Sequence, residues 1–444
     1  MRKEKTMNTF LLGASTAAHQ VEGNNTHSDY WAMEHMTYTE FSEPSGMAVD
    51  HYHRYEEDIA LLAEAGLNAY RFSIEWARIE PEEGKFDEAE LQHYADVIAC
   101  CKKHGVEPIV TLYHFTSPKW LIEKGGWENP DVVSYFERYA RYIAEKLGGE
   151  LHYVCTINEA NMGIQVAAIA ARYKKQFMQK LNPFYRLFHP RKKEENAEGK
   201  AQIGMNFNQM MKNMKKKGEE NKKLFGTSSP MTFVSQRSKE GDLLVCKAHE
   251  AARKVFRELC PHVKIGLTLS LHDIQEVGKG AEKEAKKVWD EEFVHYLPFI
   301  RDDDFFGLQN YSRTLMGKHG PLPNPEGARL TQMGYENYPE ALGHVIRKVH
   351  SELDLPILIT ENGIATSNDG ERVEFVDKAL DGVLSCVKDG IPVLGYCHWS
   401  LLDNFEWQKG FSMTFGLIAV DRKTMKRSPK PSLYALGKKK ELFE

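Results

Sequence analysis

Short apolar runs alternate along the chain with stretches in which apolar residues recur every three or four positions. The first pattern is typical of buried β-strands and the second of amphipathic helices. Strands that alternate with helices pair in parallel, because each helix carries the chain back to the start of the next strand. The sequence predicts eight such strands, at residues 10–14, 69–74, 108–112, 153–157, 264–270, 305–309, 357–360 and 393–398.

Eight strand and helix units favour a closed barrel over an open sheet, so the predicted fold class is α/β, a single (β/α)8 TIM barrel. Two helical stretches have visible ends, since residues 55–65 precede Gly66 and residues 88–103 precede Gly105. A chain of 444 residues fits one domain over residues 1–444, because barrels of this kind reach that size. Their active sites lie at the carboxyl ends of the strands, so polar residues there are the candidates.

The chain between the fourth and fifth predicted strands is unusually long. About a hundred residues lie there, more than one helix and two loops need, and we predict an insertion around residues 164–241. Its polar runs at 191–195 and 215–217 are typical of a solvated helix face or loop. Alternatively, the insertion could form a lid that covers or shapes the outer part of a substrate groove. The sequence leaves both interpretations open.

Composition and charge indicate which partners and which cellular compartment to expect. A formal net charge of −5 and a pI near 6.4 favour a small neutral substrate over nucleic acid or an anionic membrane. The apolar stretch near the start, Phe10-Leu11-Leu12, is too short for a signal peptide or a membrane span. Seven cysteines without a CxxC pair indicate reduced thiols and hence a cytoplasmic protein.

Two predicted strands end in a glutamate, in the motifs Thr156-Ile157-Asn158-Glu159 and Ile359-Thr360-Glu361-Asn362-Gly363. Cleavage of an acetal near neutral pH needs one carboxyl that donates a proton and one carboxylate that meets the developing positive charge. Asn158 can bind a sugar hydroxyl, and Arg71 at the second strand end can keep a nearby carboxylate ionised. A single strand-end glutamate is more simply a structural ion-pair partner, whereas two on separate strands favour cleavage of a glycosidic bond.

Two histidine patterns receive a structural interpretation. His51-x-His53 has the spacing of metal ligands in some barrel hydrolases, but it precedes a helix, so an orienting or surface role is favoured. His398 is interpreted as a packed strand-end histidine and not as a second base. We predict neither a metal nor a cofactor.

Several stretches occur in an order that is specific when taken together: residues 13–23 (GASTAAHQVEG), Arg71-Phe72-Ser73-Ile74-Glu75-Trp76, Gly125-Gly126-Trp127, the two glutamate motifs, and residues 399–407 (WSLLDNFEW). With these stretches the chain resembles glycoside hydrolase family 1, the β-glucosidase type. The resemblance covers most of the chain apart from the insertion.

The resemblance implies roles for ten residues. Glu159 would be the general acid and base, and Glu361 the nucleophile that forms a covalent glycosyl intermediate with retention of configuration. A retaining pair predicts carboxyl groups about 5–5.5 Å apart, against roughly 6.5–9.5 Å in an inverting enzyme. Arg71 and Tyr311 would hydrogen-bond the nucleophile. The reacting sugar would be held by the remaining six, with Trp399 as the aromatic floor: Gln20, His114, Asn158, Trp399, Glu406 and Trp407.

The same resemblance limits the substrate to a terminal β-linked sugar, with β-glucoside first and β-galactoside and β-fucoside open. The carboxylate of Glu406 would repel a sugar 6-phosphate. Two departures touch the pocket: Ala160 stands where the family usually has proline, which gives the loop more freedom, and Gln309-Asn310 precedes Tyr311 where Asn-Tyr is usual.

Other readings stay open at this point. One is a catalytically silent sugar-binding relative, and another is a glycosidase that acts mainly as a transglycosylase. The natural leaving group and a homo-oligomeric state are also open.

Overall fold

The computed structural model describes residues 10–181, 204–206 and 214–443. Its strands include all eight predicted ones, with ends displaced by at most two residues, and five short ones that were not predicted, namely the seventh, ninth, tenth, thirteenth and fourteenth. Within the described ranges they are β1 (Leu11–Ser15), β2 (Ala69–Ser73), β3 (Glu107–Tyr113), β4 (Tyr153–Ile157), β5 (Lys264–Gly266), β6 (Thr268–Ser270), β7 (Asp273–Glu276), β8 (Phe306–Gln309), β9 (Arg313–Gly317), β10 (Gly320–Pro321), β11 (Ile357–Asn362), β12 (Val393–Trp399), β13 (Ile418–Val420) and β14 (Arg427–Pro429).

The main sheet is a parallel barrel with strand order β5-β4-β3-β2-β1-β12-β11-β8-β6. Its two end strands are consecutive in the chain and separated only by Leu267, so the sheet closes on itself. The single strand predicted at 264–270 is therefore divided, because its first half pairs with β4 and its second half with β8. The predicted (β/α)8 TIM-barrel fold is confirmed, with this one strand split between two neighbours.

The helices return the chain outside the barrel. The helix predicted at 88–103 has those bounds, and Asp87 caps it by accepting hydrogen bonds from the backbone N–H groups of Ala89 and Glu90 at 2.8 and 3.2 Å. The helix predicted at 55–65 begins earlier. The described α-helices are Ala18–Val21, Asp29–Glu34, His51–Glu64, Trp76–Ile79, Glu88–Lys103, Lys119–Glu123, Val132–Leu147, Met162–Leu181, Met214–Phe225, Lys239–Leu259, Glu282–Glu292, Leu297–Ile300, Ala341–His350, Asp369–Lys388 and Pro431–Lys438.

Two of the three apolar clusters of the described residues form the body of the barrel. The larger one lies between strands and helices and holds most of the buried aliphatic and aromatic side chains. The smaller one takes its residues from the strands, apart from Phe305, which directly precedes β8: Leu11, Ala69, Ile109, Cys155, Phe305, Leu358 and Cys397. Apolar residues that fill the barrel leave the carboxyl ends of the strands for polar groups. The seven cysteines are free and buried.

The predicted insertion is described in part. The run at 191–195 lies outside the described residues, whereas the run at 215–217 opens the helix Met214–Phe225. Lys217 forms an ion pair with Glu40 at 2.5 Å, and the ammonium of Lys216 lies 5.0 Å from the ring centre of Tyr38. These lysines therefore contact the body of the protein. That the chain forms a single domain with a lid stays a prediction. No helix in the described ranges is both long and apolar enough to cross a bilayer.

Candidate active site

Glu159 and Glu361 lie at the carboxyl ends of two strands that are separated around the barrel. Both are nearly fully buried, with 3% of each exposed. The pairing of β11 with β8 changes register between Ile359 and Glu361, and an irregularity of this kind re-aims the side chains at a strand end. The charge of Glu361 contributes to the pKa of Glu159. The two carboxyl groups therefore lie close enough to interact electrostatically.

Glu361 is held by two hydrogen-bond donors. Arg71 donates from Nη1 to Oε1 at 2.6 Å, and the Tyr311 hydroxyl donates to Oε2 at 2.5 Å. Burial raises the pKa of Glu361, while the charge of Arg71 and the hydrogen bonds from Tyr311 and Arg71 lower it. Charge-assisted bonds of this length favour the ionised form. Glu361 is thus the member of the pair that ionises first.

Glu159 has the opposite environment. Burial, followed by the negative charge of Glu361, raises its pKa well above the ordinary range, against smaller effects of a Ser270 hydrogen bond and the Arg71 charge. Its φ of 43° is in the left-handed region, which is costly for a residue with a side chain. Thr268 maintains this conformation, because its Oγ1 accepts from the Glu159 N–H at 2.9 Å and its carbonyl accepts from the Ala160 N–H at 3.0 Å.

The loop after Glu159 is fixed from outside the barrel. Arg237 donates from Nη1 to the carbonyl of Ala160 at 2.7 Å and to Asp242 at 3.2 Å, and its side chain is 2% exposed. The backbone N–H of Arg237 donates to Gly163 at 3.3 Å. The sequence predicts more freedom for this loop because Ala160 replaces proline, whereas these tertiary contacts restrict it.

Asn158 is oriented by its neighbours. Its Oδ1 accepts from Arg71 Nη2 at 2.5 Å and from Gln309 Nε2 at 2.7 Å. The amide nitrogen lies 3.2 Å from His114 Nε2; because an amide N–H donates, that ring nitrogen accepts and the ring proton is on Nδ1. Burial and the charge of Arg71 keep the pKa of His114 well below its usual value. Its Nδ1 has no protein partner among the described residues, so it can donate to a ligand.

The remaining candidates line the same end of the barrel. Gln20 donates from Nε2 to the Phe405 carbonyl at 2.8 Å and approaches Glu406 Oε2 at 3.4 Å. The rings of Trp399 and Trp407 lie roughly parallel to that of His114, with centres 5.7 and 6.0 Å away. Burial above all raises the pKa of Glu406 to about 8. The structure thus brings together all ten predicted residues, whose individual roles stay predictions.

The sequence assigned no role to two residues at this site, Gln309 and Tyr335. Gln309 orients Asn158 from the end of β8, where the strand-end rule could have found it. Tyr335 comes from a loop and is 5% exposed, and its hydroxyl has no partner in the described part of the chain. Burial raises its pKa well above the ordinary value, with further contributions from the charges of Glu406 and Glu159. No strand pattern marks this tyrosine.

The histidines outside the pocket have structural contacts. His51 is buried and lies 2.7 Å from Asp58 and 3.0 Å from the Tyr70 hydroxyl. Burial, then the charge of Arg372, lowers the pKa of His398 to about 3.

One described group has a possible metal-ligand set, namely Asp242, Cys246 and His295. The Asp242 carboxylate already accepts hydrogen bonds from Arg237 and from the Tyr296 hydroxyl, and His295 lies 2.8 Å from it. An ion-pair network therefore accounts for this group of residues.

Comparison with known proteins agrees with this geometry. The model of glycosyl hydrolase family 1 matches residues 2–439. A beta-glucosidase from Agrobacterium sp. is 30% identical over 95% of this chain and 92% of its own, and beta-glucosidase A from Thermotoga maritima is 29% identical over 98% and 97%. The crystal structure of beta-glycosidase BGL167 superposes with a TM-score of 0.84, at 41% identity over 98% of this chain and 96% of that one. The chain therefore belongs to glycosyl hydrolase family 1 and is a glycoside hydrolase.

Proposed function

We propose that this glycoside hydrolase is a retaining exo-β-glycosidase that acts first on β-glucosides, with β-galactosides and β-fucosides as further substrates. The observation that carries the proposal is the unequal environment of the two buried glutamates. Arg71 and Tyr311 both donate to Glu361, while the pKa of Glu159 is raised well above its usual value. One carboxylate and one carboxylic acid in the same cavity are what double displacement needs. The names of the relatives support β-glucoside as the first substrate.

In the first step, an oxygen of Glu361 attacks the anomeric carbon. The bond to the leaving oxygen breaks, and that oxygen takes the proton of Glu159. Glu361 is then an ester without charge, so the electrostatic effect that raised the pKa of Glu159 is gone. Glu159 can now accept a proton from water, whose oxygen attacks the same carbon and releases Glu361 as a carboxylate. Two inversions give net retention.

The binding groups suit a neutral pyranose. The amide of Asn158 is turned by Arg71 and Gln309 so that its nitrogen can meet a hydroxyl beside the anomeric carbon. Gln20 Oε1 is buried and has no partner in the described ranges, so it can accept from another hydroxyl. The face of Trp399 suits the C–H side of the ring. Once the Glu406 carboxyl is ionised, its negative charge would repel a phosphate on the outer part of the sugar.

The first experiment is hydrolysis of 4-nitrophenyl β-glucoside, with the anomer of the released glucose followed by NMR. We expect β-glucose as the first product and at least a thousandfold loss in Glu361→Gln. Glu80→Gln is the matched control, because Glu80 is a fully buried glutamate that bonds Trp76 and Arg138 outside this site. Undiminished hydrolysis by Glu361→Gln, or α-glucose as first product, would refute the proposal.

A second experiment separates the two roles. A 2,4-dinitrophenyl leaving group departs without a proton, so Glu159→Ala should still form the glycosyl intermediate from this substrate, whereas Glu361→Ala should not. Added azide should give a β-glycosyl azide with Glu159→Ala and an α-glycosyl azide with Glu361→Ala. The reverse pattern would exchange the assignments.

A further inference from the structure

A three-residue part of the insertion, the 204–206 segment, lies directly on the loop that carries Glu406. The backbone N–H of Gly204 donates to Glu406 Oε1 at 3.2 Å, and the backbone N–H of Gln408 donates to the Gly204 carbonyl at 3.0 Å. Asn206 adds a third bond, from its backbone N–H to Gln408 Oε1 at 2.6 Å. Met205 between them is 4% exposed and belongs to the main apolar core. The segment is thus a packed part of the protein.

The contact requires glycine at position 204. A Cβ at this position would lie 2.5 Å from the backbone oxygen of Glu406 and 3.1 Å from its Cγ and Oε1. The first distance is far below van der Waals contact, and the atom concerned is backbone, which cannot turn aside. Glycine is the residue that lets two backbones approach this closely.

Other bonds connect the segment to a second loop at the barrel mouth. The side-chain amide of Asn206 donates to the Glu40 carbonyl at 2.9 Å and to the Ser42 hydroxyl at 3.3 Å. The helix Met214–Phe225 meets the same loop, since Glu220 accepts from the backbone N–H groups of Thr37 and Tyr38 at 3.3 and 3.0 Å. Two parts of the insertion therefore hydrogen-bond to the loop at 37–42.

These contacts fix the direction of the Glu406 carboxyl group. Gly204 bonds Oε1, and Gln20 approaches Oε2. Each carboxyl oxygen can accept more than one hydrogen bond, so capacity remains for sugar hydroxyls. A larger residue at position 204 would push the two backbones apart, so that Oε1 would lose this donor and the carboxyl could rotate. A carboxyl held in one orientation distinguishes sugars by where their outer hydroxyls lie.

We propose that the 204–206 segment is a specificity-determining element, which orients Glu406 toward the outer hydroxyls of the sugar, those on carbons four and six. The proposal rests on the proposed function, because it takes Glu406 as a sugar-binding group. It assigns the insertion a role at the glycon end of the pocket. The ligand class is a terminal hexopyranose with free hydroxyls at both carbons, and Gly204 is a positioning residue that acts through Glu406.

The test compares Gly204→Ala with Gly218→Ala, which is matched in chemistry and lies in the same insertion. An added Cβ at Gly218 meets Ser228 no closer than 3.5 Å, an ordinary contact. Steady-state kinetics are measured with nitrophenyl β-glucoside and nitrophenyl β-fucoside, which lacks the hydroxyl on carbon six and carries the hydroxyl on carbon four in the axial orientation. We expect Gly204→Ala to lose about tenfold in kcat/KM for the glucoside, mainly through KM, and clearly less for the fucoside. Gly218→Ala should keep both values.

A second variant guards against misfolding. Asn206→Ala removes the side-chain bonds to the 37–42 loop and to the Gln408 carbonyl and leaves Gly204 in place. It should therefore shift the glucoside to fucoside ratio in the same direction by a smaller factor. Thermal melts establish that each variant is folded. An unchanged ratio in both folded variants, or an equal loss of kcat on both substrates with KM unchanged, overturns the inference. Wild-type protein without Glu361-dependent hydrolysis would instead refute the proposed function itself.

Discussion

Replacing Tyr311 by phenylalanine removes one of the two donors to Glu361 and changes little else. The bond is 2.5 Å long, and both residues are nearly fully buried. A hydrogen bond to a charged group contributes about 1.5–3 kcal/mol, which corresponds to roughly 10–150-fold in kcat/KM. Arg71 still bonds Oε1 in the variant, so part of the stabilisation of the carboxylate remains. We therefore expect a loss within that range and not complete inactivation.

The pH profile gives a second and independent readout. The hydrogen bond from Tyr311 lowers the pKa of Glu361, so its removal raises that pKa. Glu361 must be ionised to attack, and activity on the acidic side is lost when it becomes protonated. The acidic limb of kcat/KM against pH should thus move to higher pH in Tyr311→Phe, and the loss in rate should be larger at low pH than above the limb.

The assay is hydrolysis of 4-nitrophenyl β-glucoside across the pH range, with Tyr296→Phe as the control. Tyr296 is a fully buried tyrosine whose hydroxyl donates to the Asp242 carboxylate at 2.8 Å, so its replacement removes the same kind of bond away from the pocket. The control should lose stability but keep the wild-type pH limb. A Tyr311→Phe enzyme with less than threefold loss and an unmoved limb would refute the reasoning, because Glu361 would then not depend on this donor.

Further predictions concern the binding groups and the buried carboxyls. Asn158→Ala should lose about tenfold or more in kcat/KM on a nitrophenyl β-glucoside but much less on its 2-deoxy analogue; equal losses would exclude contact with that hydroxyl. The pKa of Glu406 is raised to about 8 in the folded protein, so its carboxyl opposes folding increasingly as pH rises from 4.5 to 8, and denaturation should show Glu406→Gln to be more stable by up to about 4 kcal/mol at pH 8 and by nearly nothing at pH 4.5. The pKa of Asp29 is likewise raised to about 8, so Asp29→Asn should also gain stability as pH rises, while its KM stays unchanged. A gain in stability that does not depend on pH, in either variant, would contradict these raised pKa values. Arg237→Lys should slow hydrolysis of phenyl β-glucoside more than that of the 2,4-dinitrophenyl glucoside, because it loosens the loop of the proton donor Glu159; an equal effect would indicate a purely structural role.

The strand-end residues could be predicted from sequence because topology alone brings them together. Asn158 and Glu361 each lie at the end of a recognisable apolar run, and parallel strands in a barrel end at the same face. Arg71, which the sequence placed at a strand end, is instead the middle residue of β2. The order of the family motifs along the chain then indicated further site residues in loops, such as Glu406 and Trp407. The division of the fifth strand at Leu267 could not be predicted, since periodicity records which face is buried and not which neighbour a strand bonds.

Residues that reach the site from loops gave no such signal. Gly204 and Tyr335 take their positions from tertiary contacts that the local pattern does not encode. The same applies to Arg237, whose bond to Ala160 offsets the freedom expected from the missing proline. In each case the position depends on chain far away in sequence. Sequence patterns therefore located the two strand-end glutamates but not the loop residues that surround them.

Arg71 bonds to groups beside both glutamates of the pair. One of its terminal nitrogens bonds Glu361 and the other bonds Asn158, the residue next to Glu159 in the chain. A single buried guanidinium thus sets the charge of one carboxylate and the geometry beside the other. On the proposed mechanism this charge persists when Glu361 becomes an ester, while the charge that raised the pKa of Glu159 disappears. Burial still raises the pKa of Glu159, but Arg71 then lowers it without opposition from Glu361. This change favours the conversion of the proton donor into a base at the step that needs one.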